Sequence, residues 1–287
     1  MDKTVRIVFV CLALALAAGV GYFWSHPKPQ RHHLVILHSN DTHSHFEPVA
    51  AGGNAGLGGI IERAAFLDSV RRAAGPENVL LLHAGDFSQG TTYFSELHGD
   101  MEIRALNAMG YDVVTLGNHE FDNGLEDLAR RLSSLEAAVV ACNYDFSPFE
   151  AGQYIKPYVI LERAGLKIGI LGVVCNLKSV VSADIAERVP EFDVFPTVQK
   201  YADLLKGEEQ CDLVIALTHV GYTLHGPGEI TDPELCANTR NIDLIVGGHS
   251  HTFLDGIAYH PNLDGQQIPI VQDGEWGEFF GQLDYTL

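Results

Sequence analysis

The sequence is short of positive charge. Of its 287 residues, 18 are Lys or Arg and 37 are Asp or Glu, so the formal net charge is -19. A nucleic-acid groove depends on Lys and Arg side chains that neutralise phosphates, and this balance therefore argues against a nucleic-acid polymer as partner. An acidic chain is better suited to cations. If it handles a phosphorylated substrate, bound metal ions have to reverse the local field at the site.

The five cysteines lack the spacing of a thiolate metal site. Cys11 lies in the hydrophobic N-terminal stretch, and the other four are Cys142, Cys175, Cys211 and Cys236. Two disulfides among these four are one possibility, and small buried thiols at strand-like positions are the other.

The N-terminus lacks any charge between residues 7 and 24, after Lys3 and Arg6. The stretch is longer than the apolar part of a usual cleaved signal and just long enough to span a bilayer. The aromatic run "YFW" before "SHPKPQR" favours a retained membrane anchor with a short tether over 1–31, and cleavage after "GVG" is the alternative. Both predict export and an extracytoplasmic location.

The rest of the chain, 32–287, has no internal repeat, low-complexity tract or linker-like change in composition. Short apolar runs alternate with amphipathic ones, a pattern that predicts one α/β domain. The predicted strands are "HLVILHSND", "NVLLLHAGD", "DVVTLGNHE", "AAVVACNYD", "KIGILGVV", "DLVIALTHV", "IDLIVGGHS" and "IPIVQDG". The predicted helices cover 57–73, 93–109, 125–135 and 198–205.

Five of the predicted strands end in polar residues of similar type. These residues are Asp41, His43, Asp86, Asn118, His119, His219, His249 and His251. Ligands bind beyond the carboxyl ends of the strands in open α/β sheets, so these side chains are expected to converge. A buried core has no use for so many polar groups, whereas His38 and His83, inside strands, are expected to be packed or to support the site.

The converging set predicts a metal site. Carboxylate, amide and imidazole ligands suit Zn, Mn, Fe or Co better than Ca, and their number exceeds the need of one ion. Two cations require a shared anionic ligand, and Asp86 is placed to bridge them. If the segments are extended, residues i and i+2 point the same way, so Asp41 would reach the site with His43, and His249 with His251.

Five motifs in fixed order resemble the metallophosphatase domain of the 5'-nucleotidase and UDP-sugar hydrolase family, within the calcineurin-like phosphoesterases. They are "ILHSNDTHSHFEP", "HAGDFSQG", "LNAMGYDVVTLGNHEFDNG", "THVGY" and "VGGHSHT". The resemblance implies a four-layer α/β/β/α sandwich with two divalent metal ions. It also implies that Asp41, His43, Asp86 and His251 hold one ion, and that Asp86, Asn118, His219 and His249 hold the other.

The resemblance further implies a phosphohydrolase that acts on phosphate esters of nucleotides or sugar nucleotides, by in-line attack of a hydroxide that bridges the metals. His119 and Asp122 resemble the catalytic dyad of the family. A histidine oriented by a carboxylate could stabilise or protonate the leaving oxygen. For Asp122, a helix N-cap before "GLEDLARRL" is the alternative.

Full-length relatives continue into a second domain that binds the nucleobase, and no part of this chain resembles it. We therefore expect poor discrimination among nucleotides, with a separately encoded substrate-binding domain as a possible partner. Alternatively, the long segments 178–196 and 221–232 form a pocket of their own. A membrane-tethered metal-binding subunit without turnover is the alternative to an enzyme.

Overall fold

The computed structural model describes residues 33–224, 226 and 228–286. The segment 1–31, predicted to be a signal or anchor, lies outside the described residues. In the described part of the chain, no helix is both long and apolar enough to cross a bilayer.

Twelve strands in the described residues form two six-stranded sheets. In chain order they are β1 (His33–Ser39), β2 (Val79–His83), β3 (Val113–Thr115), β4 (Ala138–Val140), β5 (Ile155–Lys156), β6 (Tyr158–Arg163), β7 (Leu166–Val174), β8 (Leu213–His219), β9 (Leu244–Val246), β10 (Ala258–Pro261), β11 (Gln267–Val271) and β12 (Gly281–Thr286). The first sheet has the order β12-β1-β2-β3-β4-β5, and the second has the order β10-β11-β9-β8-β7-β6. The inner strands are parallel, whereas β12, β6 and β10 run antiparallel to their neighbours.

The helices cover the outer faces of the sheets. They are α1 (Ile60–Ala74), α2 (Thr92–Leu97), α3 (Asp100–Met109), α4 (Gly124–Leu132), α5 (Leu177–Val180), α6 (Ala183–Ala186), α7 (Val194–Asp203) and α8 (Asp232–Ala237). A π-helical turn, Leu204–Glu208, extends α7.

The residues of β1 show how the layers stack. Leu34 and Ile36 pack into a core between the two sheets, together with residues of β7 and β8. Val35 and Leu37, on the opposite face, pack into a second core with residues of α3 and α4. A third core joins β8 to α7 and α8. Strands buried on both faces read as continuous apolar runs, and the predicted four-layer α/β/β/α sandwich is confirmed.

All eight predicted strands are present, but four further strands were missed. These are β5, β6, β10 and β12, which are short or lie at or near a sheet edge and carry half-exposed residues. The predicted helix 93–109 is broken, because His98 adopts a left-handed conformation with φ 50 and Gly99 follows it. The segment 178–196 is not an open loop throughout, since it contains two short helices, α6 and most of α5.

Cys142, Cys175, Cys211 and Cys236 are buried free thiols. The alternative with two disulfides is therefore wrong, and the thiols act as small apolar groups.

Asp232, the first residue of α8, is a fully buried carboxyl group. Its Oδ1 accepts a hydrogen bond from Oγ1 of Thr218 at 2.6 Å, and its Oδ2 has no hydrogen-bond partner. Burial raises the pKa of Asp232 to about 7, against the opposing effects of Thr218 and of His219. The protonated form is thus the one that the fold favours.

Replacing Asp232 with Asn should make stability less dependent on pH. The pKa of Asp232 is higher in the folded state than in the unfolded chain, where it is about 3.9, so its contribution is fully present below pH 3.9 and is lost as pH rises through 7. The substitution Asp232→Asn changes the free energy of unfolding by an amount that depends on pH. This change is expected to be about 1 to 3 kcal/mol more favourable to the folded state at pH 8 than at pH 4. Urea unfolding at both values measures this, and an equal effect at both would contradict it.

Candidate metal centre

The predicted site residues follow the carboxyl ends of five strands in both sheets. Asp41 and His43 follow β1, Asp86 follows β2, Asn118 and His119 follow β3, His219 ends β8, and His249 and His251 follow β9. The strands β1, β2 and β3 are neighbours in one sheet, and β8 and β9 are neighbours in the other. The sandwich therefore brings two rows of strand ends to one edge.

Three overlapping groups of side chains have ligand atoms within 4.8 Å of one another. The groups are Asp41, His43 and His251; His43, Asp86 and His119; and Asp86, His219 and His249. The first contains three of the four residues that were predicted for one metal, and the third contains three of the four predicted for the other. Asp86 belongs to two of the groups, and so does His43.

Asp41 directs one buried oxygen at several imidazoles. This Oδ1 lies 3.4 Å from Nε2 of His251, 3.8 Å from Nε2 of His43 and 3.9 Å from Nε2 of His219. It makes no hydrogen bond, whereas Oδ2 accepts two, from Nδ2 of Asn40 at 2.6 Å and from the backbone N–H of His249 at 2.9 Å. Two atoms that each lie about 2.0 to 2.1 Å from a common ion are roughly 3 to 3.5 Å apart. The 3.4 Å separation from His251 therefore fits two ligands of one divalent cation, whereas His43 and His219 lie slightly farther from Oδ1.

Asp86 lies between the groups. Its Oδ1 accepts a hydrogen bond from the backbone N–H of His119 at 2.9 Å. Its Oδ2 lies 3.1 Å from Nε2 of His219 and 4.0 Å from Nε2 of His43. Nε2 of His219 has no hydrogen-bond geometry with any partner, despite the 3.1 Å approach. Burial would raise the pKa of Asp86, but the charge of His219 lowers it well below its ordinary value.

The histidine rings are oriented by acceptors on their far side. Nδ1 of His219 donates to the carbonyl of Ala84 at 2.6 Å, and Nδ1 of His251 lies 2.8 Å from Oε2 of Glu275. Both contacts leave Nε2 directed at the centre, as in metal-binding histidines. Glu275 was not predicted from the sequence, although an acid directly after the run "IPIVQDG" was a usable signal.

The backbone brings the ligand pairs together in a different way from the one predicted. Asp41, His43, His249 and His251 are not extended but left-handed, with φ of 48, 46, 80 and 51. The prediction from i and i+2 alternation was therefore wrong in its geometry. Its conclusion that the members of a pair reach one site together holds for Asp41 and His43, whereas His249 and His251 belong to different groups. Non-glycine residues in this region are strained, and such strain concentrates at functional sites.

The turn after β3 packs directly onto Asp86. A Cβ atom at Gly117 would lie 2.1 Å from Oδ1 of Asp86, so only glycine permits this approach. Asn118, the residue between Gly117 and His119 in the sequence, is buried, and its Oδ1 lies 3.9 Å from the Cys175 thiol. It thus belongs to the segment that touches Asp86.

His119 and Asp122 form a pair at the rim of the centre. Nδ1 of His119 lies 2.8 Å from Oδ2 of Asp122, and both side chains are about one-third exposed. Burial alone would lower the pKa of His119, but the bond to Asp122 and the charge of Asp86 raise it to about 9. Asp122 is not the N-cap of α4, which is Asn123, so that alternative is wrong.

Glu120 is a buried residue that was not predicted from the sequence. Its Oε2 accepts the backbone N–H groups of Asp86 at 2.9 Å and Gly117 at 2.7 Å, and its Oε1 accepts that of Ser88 at 3.0 Å. Arg131 donates to the Glu120 carbonyl and to Oγ of Ser88. One carboxylate therefore ties the loop after β2 to the turn after β3.

His38 and His83 are packed outside the centre. Nδ1 of His38 lies 2.6 Å from Oδ2 of Asp273, and Nε2 of His83 lies 3.1 Å from Oγ1 of Thr42. His83 thus supports the residue between Asp41 and His43.

The Calcineurin-like phosphoesterase family model matches residues 34–253, and the chain belongs to that family. It is 30% identical, over 91% of its length, to the trifunctional nucleotide phosphoesterase YfkN of Bacillus subtilis, of which it covers 18%. It is 31% identical, over 98% of its length, to a snake venom 5'-nucleotidase of Gloydius brevicauda, of which it covers 48%. The predicted resemblance is confirmed.

A solved structure extends the likeness to the fold. The 5'-nucleotidase precursor of Thermus thermophilus superposes with a TM-score of 0.78 at 32% identity, over 88% of this chain and 51% of that one. The chain thus spans about half the length of the venom and Thermus proteins.

Replacing Glu120 with Gln should loosen the centre. The glutamine amide has one acceptor oxygen, and its NH2 group is a donor. At least one of the three buried backbone N–H groups would therefore face that NH2 group and lose its acceptor. The free energy of unfolding should fall by about 1 to 3 kcal/mol as a result. Metal affinity should fall by about 10- to 100-fold, as for other groups that support ligands. Urea unfolding and metal titration measure the two effects. Glu126→Gln, at an exposed side chain of α4, is the control. Equal changes in stability and in metal affinity for the two variants would contradict the role of Glu120.

Proposed function

We propose that the protein is a divalent-metal-dependent phosphohydrolase of the 5'-nucleotidase kind, which hydrolyses phosphate esters of nucleotides or sugar nucleotides. The observation that supports this most is the pair of buried carboxylates, Asp41 and Asp86. Oxygens of both face imidazole Nε2 atoms at 3.1 to 4.0 Å. Oδ1 of Asp41 is buried and makes no hydrogen bond, and such an oxygen is well compensated by a cation.

Two sets of residues that share Asp86 are proposed to hold two ions. They are Asp41, His43, Asp86 and His251 for one, and Asp86, Asn118, His219 and His249 for the other. The mixed oxygen and nitrogen donors suit Zn, Mn, Fe or Co. When bound, such ions supply positive charge for the phosphoryl oxygens and lower the pKa of water.

The remaining chemistry falls to His119 and Asp122. The carboxylate of Asp122 accepts Nδ1–H of His119 at 2.8 Å, which fixes the ring and leaves Nε2 to hold a proton. At the rim, this proton can be passed to the leaving oxygen as the ester bond breaks, because departure of that oxygen develops negative charge on it. The pair also disfavours the alternative of a metal-binding subunit without turnover, since such a subunit needs no dyad.

The names of the relatives support nucleotides as substrates, since they include a nucleotide phosphoesterase and a 5'-nucleotidase. This chain covers about half the length of the matched nucleotidases. A separately encoded domain that recognises the substrate is a further part of the proposal. Adding that domain should raise kcat/KM for nucleotides more than kcat/KM for a generic phosphate ester. An equal increase for both substrates would oppose the proposal of a recognition domain.

An extracytoplasmic location is also part of the proposal. The uncharged stretch 7–24 supports an export signal or a membrane anchor, and one relative is a venom protein. Sequencing the mature N-terminus distinguishes a retained anchor from a cleaved signal. An intact N-terminus on a protein found in the cytoplasm would oppose export.

Activity should require metal and the Asp86 carboxylate together. Phosphate release from adenosine monophosphate should stop after chelation and return with Mn, Zn or Co, since the phosphoryl charge would otherwise be uncompensated. Asp86→Asn should lose bound metal and turnover together, whereas Asp68→Asn on the exposed face of α1 should change neither. Undiminished release after complete chelation would refute the proposed function.

Replacing His119 with Ala should separate catalysis from metal binding. We expect kcat to fall by about 100- to 10,000-fold, the usual contribution of a general acid, while bound metal, measured by elemental analysis, stays unchanged. His33→Ala, an exposed histidine, is the control. Loss of metal in His119→Ala, or an unchanged rate, would show that the assignment of roles is wrong.

A further inference from the structure

The segment after β11 contacts two proposed metal ligands, Asp41 and His251, and also His38, which lies outside the centre. Asp273 pairs with His38 at 2.6 Å, and Glu275 pairs with His251 at 2.8 Å. The backbone N–H of Trp276 donates to the carbonyl of Asp41 at 2.7 Å. Trp276 is therefore tied to a proposed metal ligand by its own backbone.

The side chain of Trp276 stacks on a ring that is tied to another proposed ligand. The rings of Trp276 and His45 are 4.8 Å apart between centroids, at an interplanar angle of 20°. Nδ1 of His45 donates to the carbonyl of His43 at 2.9 Å. We call these two stacked rings the aromatic platform, and both of its members are positioned by the loop that carries Asp41 and His43.

The aromatic platform is braced from α1. Nη2 of the buried Arg63 guanidinium donates to the carbonyl of His45 at 2.6 Å. A Cβ atom at Gly277 would lie 2.6 Å from Nη1 of Arg63, so the residue after Trp276 packs against the same guanidinium. These contacts hold the two rings in one arrangement, and preorganised aromatic surfaces bind with little loss of conformational entropy.

Trp276 is strained and half-exposed at the same time. Its φ of 61 is left-handed, which is unusual for a bulky residue, and 37% of its surface is exposed. Packing alone does not explain this combination, because a large apolar ring stabilises a fold by being buried. Strained residues are retained where they serve a site.

We propose that the aromatic platform is a subsite that stacks on the base of a nucleotide whose phosphate lies at the metal centre. This inference rests on the proposed function and adds the part of the substrate that this chain itself recognises. Bases stack on aromatic side chains with little dependence on sequence, since every base has a π-face. The subsite therefore selects for an aromatic ring and not for one particular base.

The charges nearby favour a neutral ring over additional phosphates. Glu47, Glu275 and Glu278 lie in the two segments that carry the platform. The carboxylate of Glu47 is paired with Tyr93, that of Glu275 with His251 and that of Glu278 with Asn54. Further phosphate groups beside these acids would be repelled, so the subsite suits the uncharged end of a nucleoside monophosphate.

Kinetics with two substrates test the subsite. Trp276→Ala should lower kcat/KM for adenosine monophosphate by about 5- to 150-fold, the usual range for one base stacked on one aromatic side chain. The kcat/KM for glycerol phosphate should stay within about twofold of the wild-type value. Trp276→Phe should retain most of the activity toward the nucleotide. Tyr259→Ala, which removes an exposed aromatic of β10, is the matched control. Equal losses on both substrates, or no loss on either, would overturn the proposal.

Fluorescence separates this proposal from the proposed function. Adenosine, which carries no phosphate, should quench part of the tryptophan emission of the full chain, and glycerol phosphate should not. The chain has two tryptophans, so the quenching must disappear in Trp276→Phe if Trp276 causes it. A wild-type protein that releases no phosphate but shows this quenching would refute the hydrolase while supporting the subsite. Absence of quenching would count against the subsite.

Discussion

The carboxylate of Asp86 is the group on which the arrangement of the site depends. It is almost fully buried, and an uncompensated buried charge is unfavourable by several kcal/mol. One oxygen is satisfied by the N–H of His119, and the other faces His219 and His43. These partners follow three different strands in two sheets. Satisfying one carboxylate therefore requires the two sheets to present their carboxyl ends at the same edge, which the apolar core between them enforces.

A second buried acid keeps the loops in register. Glu120 accepts three backbone N–H groups from the two segments that carry Asp86 and Asn118, and Arg131 holds Glu120 from α4. The left-handed residues Asp41 and Asp86 are strained, and packing of this kind is what allows a fold to retain such strain. The stability of the outer helix is thus linked to the geometry of the proposed metal ligands.

The groups proposed for chemistry and the groups proposed for recognition occupy different parts of the rim. His119 and Asp122 belong to the turn after β3, whereas Trp276 and His45 are carried by the loops after β11 and β1. Because these two loops are joined at Asp41 and His45 and not through His119, we expect that the two proposed functions can be altered separately.

Much of the fold and of the candidate site could be predicted from the sequence alone. Buried strands such as β7 and β8 are continuous apolar runs, and "GNHEFD" carries its polar residues at a strand end, so strand positions and candidate ligands are visible as local patterns. The tertiary structure decided the left-handed geometry of Asp41 and His43, the edge strands, and the supporting contacts of Glu275 and Trp276. Those contacts join residues far apart in the chain, as the bond between His249 and Asp41 also does. Local periodicity depends only on residues that are close together in the chain. It therefore indicates which side chains are buried and which are exposed to solvent, but it does not identify the distant residue that each one contacts.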